Sequence, residues 1–218
     1  VDNVVQSMPN LFDSNSSTLL FIPLAHVFGR VIQVGCIESG TVLGHSSDIK
    51  NIVAVLGEFQ PSFLLSVPRV FEKVYNSARA KAVNDGKGRI FDAAAATAID
   101  YSKALDTGGP SLVLKLKHFI FDKLVYGKLR AALGGQVKYA VSGGAALGAR
   151  LGHFFRGIGV TILEGYGLTE TSAASTVNRP DAIKVGTVGR PIPGASVKIA
   201  GDGEILLKGG QIFRGYWN

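Results

Sequence analysis

The run Glu164-Gly165-Tyr166-Gly167-Leu168-Thr169-Glu170-Thr171 sets an aromatic ring, a hydroxyl and a carboxylate close together, between glycines that let the backbone turn sharply. Tyr166 can stack on a base, and Thr169 can donate to a phosphate oxygen. Glu170 can hold a magnesium ion that bridges phosphates, because hard cations take oxygen ligands. The same residues also suit a plain strand-to-helix turn, with Thr169 as the cap and Glu170 favouring the helix N-terminus.

A second run, Ser142-Gly143-Gly144-Ala145-Ala146, has two glycines that permit a flat or charged ligand to approach backbone amides. Ala140 to Gly144 also resembles a nucleophile elbow with alanine in its first position. Chain order argues against a hydrolase. The last histidine is His153, and no acid lies between it and Ser142. His26 follows a strand signal ending at Pro23; an imidazole suits a place beside a reacting carboxylate or along a channel, and a core or capping role suits it as well. Arg69, just after Pro68, can pair with a phosphate or sit solvated in a first helical turn. Neither G-x-x-x-x-G-K-[ST] nor a complete G-x-G-x-x-G after a strand occurs.

These loops need elements to hold them. Apolar runs at 18–22, 41–43, 63–67, 136–141 and 160–163 read as strands. Helical periodicity follows at 27–37, 49–59, 68–82 and 149–157, with Pro68 where a first-turn proline belongs. Between 84 and 136 the alternation gives way to a loop, an alanine-rich helix at 89–105 and a long helix at 112–133. After about residue 185, glycine and proline punctuate short strands at 197–199 and 204–207. The expected fold class is therefore α/β: a mostly parallel sheet with helices on both faces over 1–185, a helical insertion at 84–136, and the start of a small β region at 186–218. In such sheets ligands gather beyond the carboxyl ends of the strands, where the loops above lie.

Composition narrows the function classes. With 218 residues and 46% hydrophobic content the chain can bury a sizeable core, which excludes wholesale disorder. The net charge of +7 is spread out and not gathered into basic runs, which argues against a nucleic-acid partner. A single cysteine, Cys36, excludes an internal disulfide framework and a multi-cysteine zinc site, and it suits a cytoplasmic protein. No apolar run is long enough to span a bilayer.

Together the segments resemble the adenylate-forming (acyl-CoA synthetase/luciferase-like) superfamily, most closely its long-chain fatty-acid CoA ligases. The resemblance rests on Ile22 to Arg30, Val67 to Lys73, Ser142 to Ala145, Glu164 to Glu170, Val188 to Gly194, and Gly203-Glu204-Ile205 through Gly215-Tyr216. It implies attack of a fatty-acid carboxylate on the α-phosphate of ATP, giving acyl-AMP and pyrophosphate, then thiolysis by coenzyme A. ATP, Mg2+ and coenzyme A are the small molecules this calls for.

By the same resemblance Thr169 contacts the α-phosphate, Glu170 the magnesium ion, and His26 lies beside the acyl carboxylate. Tyr166 stacks on adenine, and Gly143, Gly144 and Ala145 form the wall shared by adenine and acyl carboxylate, within a binding set that also includes Ser142, Glu164, Gly165, Gly167 and Leu168. The family's phosphate loop is expected before residue 1, and its ribose-binding aspartate, hinge and C-terminal lysine domain after residue 218. On that reading the chain is an internal piece of a ligase, inactive alone. An acyl-AMP ligase serving a carrier protein and a non-catalytic adenylate or acyl binder stay open.

Where some members of the family carry a gating tryptophan, this chain has Arg30, which leaves an acidic neighbour or a phosphate as its partner. In the insertion, Leu112, Leu116, Phe119, Ile120, Leu124 and Leu133 alternate with Lys115, Lys117, Lys123, Lys128 and Arg130. Such a helix can rest on an anionic membrane that supplies fatty acid. A solvated lysine face over a packed apolar stripe is the plainer expectation.

Overall fold

The structure, a computed structural model, describes residues 1–8 and 11–217. Its spine is a set of short parallel strands. β1 (Ser17–Leu20) pairs with β2 (Val42–His45), while β3 (Phe63–Ser66), β4 (Tyr139–Ser142) and β5 (Thr161–Tyr166) pair in that order. The Ser62 amide donates to the Ser17 carbonyl at 3.0 Å and ties β1 to the start of β3. Two short antiparallel strands, β6 (Thr176–Val177) and β7 (Arg190–Pro191), extend the sheet beyond β5. The hairpin β8 (Ala195–Ile199) and β9 (Ile205–Gly209) stands apart as the expected small β region.

Side-chain alternation along the strands divides the core in two, because successive residues of a strand point to opposite faces. Leu64, Ala140 and Ile162 align across β3, β4 and β5 and belong to the larger cluster. Helices α3 (Ile52–Phe59), α4 (Pro68–Asn84), α5 (Gly88–Leu105), α7 (Gly127–Ala132) and α8 (Ala149–Gly157) feed this cluster through Leu56, Phe71, Ala94, Leu129 and Phe155. Leu65, Val141 and Leu163, one position on, face the other way, onto α1 (Asp2–Ser7) and α2 (Val27–Ser39) through Val4 and Ile32. Helices therefore cover both faces, as expected.

The insertion is more integral than its departure from the strand–helix alternation implies. Phe91, Ala94 and Ala98 of α5 are buried in the main core, and α5 packs closely on α8. A Cβ on Gly157 would run into the Ala98 carbonyl, so glycine is what lets these two helices approach. The expected helix at 112–133 is interrupted. It runs as α6 (Leu112–Phe121), a π-helical turn at Asp122–Tyr126, and α7. Asp122 and Arg130 pair at 2.6 Å across the turn, and the buried Tyr126 hydroxyl donates to the Ala94 carbonyl at 2.7 Å.

The expected packed stripe on this helix is overturned. No residue of α6 is buried, and Leu112, Leu116, Phe119, Ile120 and Leu124 are exposed; of the six apolar residues expected in the stripe, Leu133 alone is fully buried. The inner side of α6 carries His118 instead, stacked on Tyr101 and 2.6 Å from the Gly157 carbonyl.

Candidate functional site

Beyond the carboxyl ends of β3, β4 and β5 lies a cavity of about 310 Å³. The strands deliver Leu65, Ser142 and Gly165 to it, and Val4 of α1, Met8 just after that helix, and Phe28 and Val31 of α2 close its far side. A mainly apolar chamber with a few polar groups at one end is the common form of a small-molecule site.

The polar end is built by the chain that leaves β5. Gly167 passes so close to Ala173 that a Cβ would run into the Ala173 carbonyl, and the backbone bends back on itself here. Leu168 caps a single 3-10 turn, Thr169–Thr171. The cap is made by Thr171, whose Oγ1 accepts from the Leu168 amide at 2.9 Å and donates to the Leu168 carbonyl at 3.1 Å. Thr169 is not the cap, so that part of the plain-turn expectation is corrected. Its side chain is exposed on the cavity wall beside Glu170. Ser172 and Ala173 then take positive φ, 53° and 89°, which non-glycine residues seldom adopt and which returns the chain into β6.

A strap from the far end of the sequence holds this turn. The Phe213 amide donates to the Glu170 carbonyl, and the Ser172 hydroxyl to the Gln211 carbonyl, both at 2.9 Å. The Tyr216 hydroxyl donates to the Glu170 carboxylate. That hydrogen bond, assisted by the residue's own amide, holds the Glu170 carboxyl below the usual carboxylate range. Sequence reasoning matched Gly215-Tyr216 as a motif but assigned it no partner.

The second loop follows β4. Gly143 donates its amide to the Ser66 carbonyl at 3.2 Å, and Gly144, at φ 84°, turns the chain away from the strand. Ser142, Gly143 and Gly144 line the cavity; Ala145 does not. Ser142 is 1% exposed and its Oγ has no partner among the described residues, which is not the presented nucleophile of an elbow. His153 pairs with Ser102, 3.0 Å away.

Glu164 is the second candidate outside the cavity lining. Its side chain is buried against the opposite face of β5, where Oε2 accepts from the Leu147 amide at 3.0 Å and anchors the end of the Gly143–Ala146 loop. It shapes the site from behind. Gly165, Tyr166, Gly167, Leu168, Thr169 and Glu170 all line the cavity.

His26 caps a helix and lies at the cavity. Its Nδ1 accepts from the Phe28 amide at 3.1 Å as the N-cap of α2, and the exposed ring borders the cavity. Arg30 pairs with no acid among the described residues; its Nε donates to the Leu24 carbonyl at 2.8 Å, bracing the His26 loop. Arg69 is exposed in the first turn of α4 and is not among the residues lining the cavity. Sequence reasoning missed Val4, Met8, Ala173 and Ala174 in the cavity wall. A six-residue helix at 2–7 is too short to show periodicity, and only its apolar residues at 4, 5 and 8 gave a hint.

No group of three or more histidine, cysteine or acidic side chains converges as a metal cage among the described residues. One carboxylate, Glu170, stands at the polar end beside a hydroxyl. This fits a hard cation that arrives with phosphate oxygens and takes a single protein ligand, in the way magnesium is commonly held.

The family profile described as "AMP-binding enzyme" matches residues 1–217. A long-chain-fatty-acid–CoA ligase, FadD15, of Mycobacterium bovis is 56% identical over 209 residues, covering 96% of this chain and 35% of that protein. Long chain acyl-CoA synthetase 4 of Arabidopsis thaliana is 35% identical, covering 91% of this chain and 32% of the other. The chain thus spans about a third of the length of these relatives. Among solved structures, a malonyl-CoA ligase ternary product complex with methylmalonyl-CoA and AMP superposes over all of this chain and 39% of its own, with TM-score 0.67 and 21% identity. The N-terminal domain of FACL13 from Mycobacterium tuberculosis gives TM-score 0.64 at 17% identity, over all of this chain and 46% of its own. At these identities the likeness is one of fold.

Proposed function

Because this chain belongs to the AMP-binding enzyme family, we propose that it supplies the acyl-adenylate pocket of a long-chain fatty-acid CoA ligase. The observation that carries the reading is the single cavity end shared by Tyr166, Thr169, Glu170, Gly143, Gly144 and His26, in a chain 56% identical to a long-chain-fatty-acid–CoA ligase. Residues 1–185 carry the α/β core of the adenylation unit, to whose sheet β7 adds an edge, and from 186 onward the chain begins a β unit whose tail returns to the site through Tyr216.

The chemistry follows from the placement of groups. Tyr166 offers a face to adenine against the Gly143–Gly144 backbone, where missing side chains allow close approach. The apolar wall of Val4, Met8, Phe28 and Val31 takes the acyl chain and keeps water from the reacting carboxylate. Held in line, that carboxylate oxygen attacks the α-phosphorus, and the P–O bond to pyrophosphate breaks. Thr169 donates to a phosphoryl oxygen as charge develops there. Glu170 ligates a magnesium ion, which supplies charge neutralisation on the phosphates when bound. His26, fixed by its cap to Phe28, borders the carboxylate end.

The acyl group of acyl-AMP then passes to the coenzyme A thiol, with AMP leaving. The experiment is thioester formation by the full-length protein with a long-chain acid, ATP and free coenzyme A. Acyl-CoA and AMP in equal amounts support the reading. Acyl-AMP that forms but passes only to a carrier-protein thiol overturns the acceptor.

A further inference from the structure

The segment Leu112 to Leu124 exposes six large apolar side chains. Leu112 is 84% exposed, Val113 65%, Leu116 62% and Phe119 61%, with Ile120 and Leu124 about half exposed. At about 100° per residue these side chains fall within an arc of roughly 140° on one side of the helix. Lys115 and Lys117 flank that arc, and Lys123 stands inside it with its ammonium 5.9 Å from the Phe119 ring. Leu114, His118 and Phe121 face the body of the protein, so the outward face is not an unpacked core face.

The charge is one-sided. The only acid between Leu112 and Lys128 is Asp122, and it is paired with Arg130. Lys115, Lys117, Lys123 and Lys128 are all exposed. An apolar arc rimmed by cations without competing acids complements an anionic lipid surface, with apolar side chains in the acyl region and ammonium groups at the phosphates. A protein partner or a second copy would have to offer acids around an apolar groove. The exposed carboxylates of the described surface are scattered along the sequence, and the cavity beyond β3, β4 and β5 is lined by one acid only, Glu170.

We propose that the outward face of α6 docks on an anionic membrane, holding the protein at the surface where a water-insoluble acid resides. Docking is a property of the helix face and stands whether or not the ligase reading does.

The test is flotation of the full-length protein, without ATP or fatty acid, on vesicles of phosphatidylcholine alone and of phosphatidylcholine with phosphatidylglycerol. Binding is expected on the mixed vesicles and to weaken with salt. Lys115→Gln and Lys117→Gln are each expected to lower partitioning about fivefold. Leu116→Ser with Phe119→Ser is expected to lower it at least about thirtyfold with an unchanged thermal midpoint. Equal partitioning of wild type and variants overturns the proposal. So does absence of binding together with a lowered thermal midpoint in the serine variant, which would mean that another part of the protein covers the face. Loss of a wild-type dimer in that variant, without vesicle binding, would overturn it in favour of a second copy.

Discussion

The Tyr216 phenol donates to the carboxylate of Glu170, 46 residues earlier in the chain. With the Phe213 amide bond to the Glu170 carbonyl and the Ser172 hydroxyl bond to the Gln211 carbonyl it closes the last described segment over the turn that carries Thr169 and Glu170. The carboxylate best placed to meet a cation at the polar end of the cavity is therefore already oriented by a residue from outside the α/β core.

This contact has a pH signature. Tyr216 lowers the Glu170 pKa, so removing the hydroxyl raises it toward the ordinary carboxylate value. If ionised Glu170 is needed for adenylation, the acid limb of the rate profile moves to higher pH in Tyr216→Phe. Pyrophosphate-exchange profiles of the two proteins check this. Superimposable acid limbs would detach Tyr216 from Glu170.

Gly167→Ala is expected to be severe, because its Cβ would displace the Ala173 carbonyl and with it the turn at Thr169–Thr171. A shift of the order of an ångström in a positioning element costs about a hundredfold in rate. The far-UV spectrum should be unchanged while exchange falls by that factor.

Glu164 separates shape from chemistry. Glu164→Ala leaves the buried Leu147 amide without its acceptor, a loss of about 1–3 kcal/mol in urea unfolding. Glu164→Gln keeps an acceptor oxygen and should lose less than half of that. An equal loss in both would mean that the carboxylate charge matters more than the hydrogen bond.

His153 is expected to make stability pH-dependent. Burial pushes its pKa below the ordinary histidine value; the nearby Asp106 carboxylate opposes this, and Lys103 and Arg156 reinforce it. With the folded pKa below the unfolded one, the unfolded chain binds the proton more readily. Its contribution is thus full above about pH 6.5 and is lost as pH falls through the folded value. Urea midpoints of wild type and His153→Gln, compared from about pH 8 to about pH 5, should converge at the acidic end.

Much of this arrangement was legible in the sequence for physical reasons. Strands such as Phe63–Ser66 are buried on both faces and read as continuous apolar runs, and α4 announces itself with Pro68 and its regular apolar spacing. The glycine-rich loops stood out because chain reversal and close approach restrict residue choice at Gly144 and Gly167. Pairings between distant segments were not legible. Nothing local in Tyr216 says that it meets Glu170, and nothing local in Glu164 says that it faces Leu147 and not the cavity. The α6 face misled for the same reason: amphipathic spacing gives the arc but not which side meets the core, and here Leu114 and His118 turn inward while Leu116 and Phe119 face out.

The most direct measurement is exchange of labelled pyrophosphate into ATP by the full-length protein, with and without a long-chain fatty acid, in wild type and Glu170→Gln. The account predicts exchange that requires both the acid and magnesium, falling about a hundredfold or more in Glu170→Gln with an unchanged thermal midpoint. Wild-type protein that fails to exchange, or Glu170→Gln that exchanges at the wild-type rate, would contradict it.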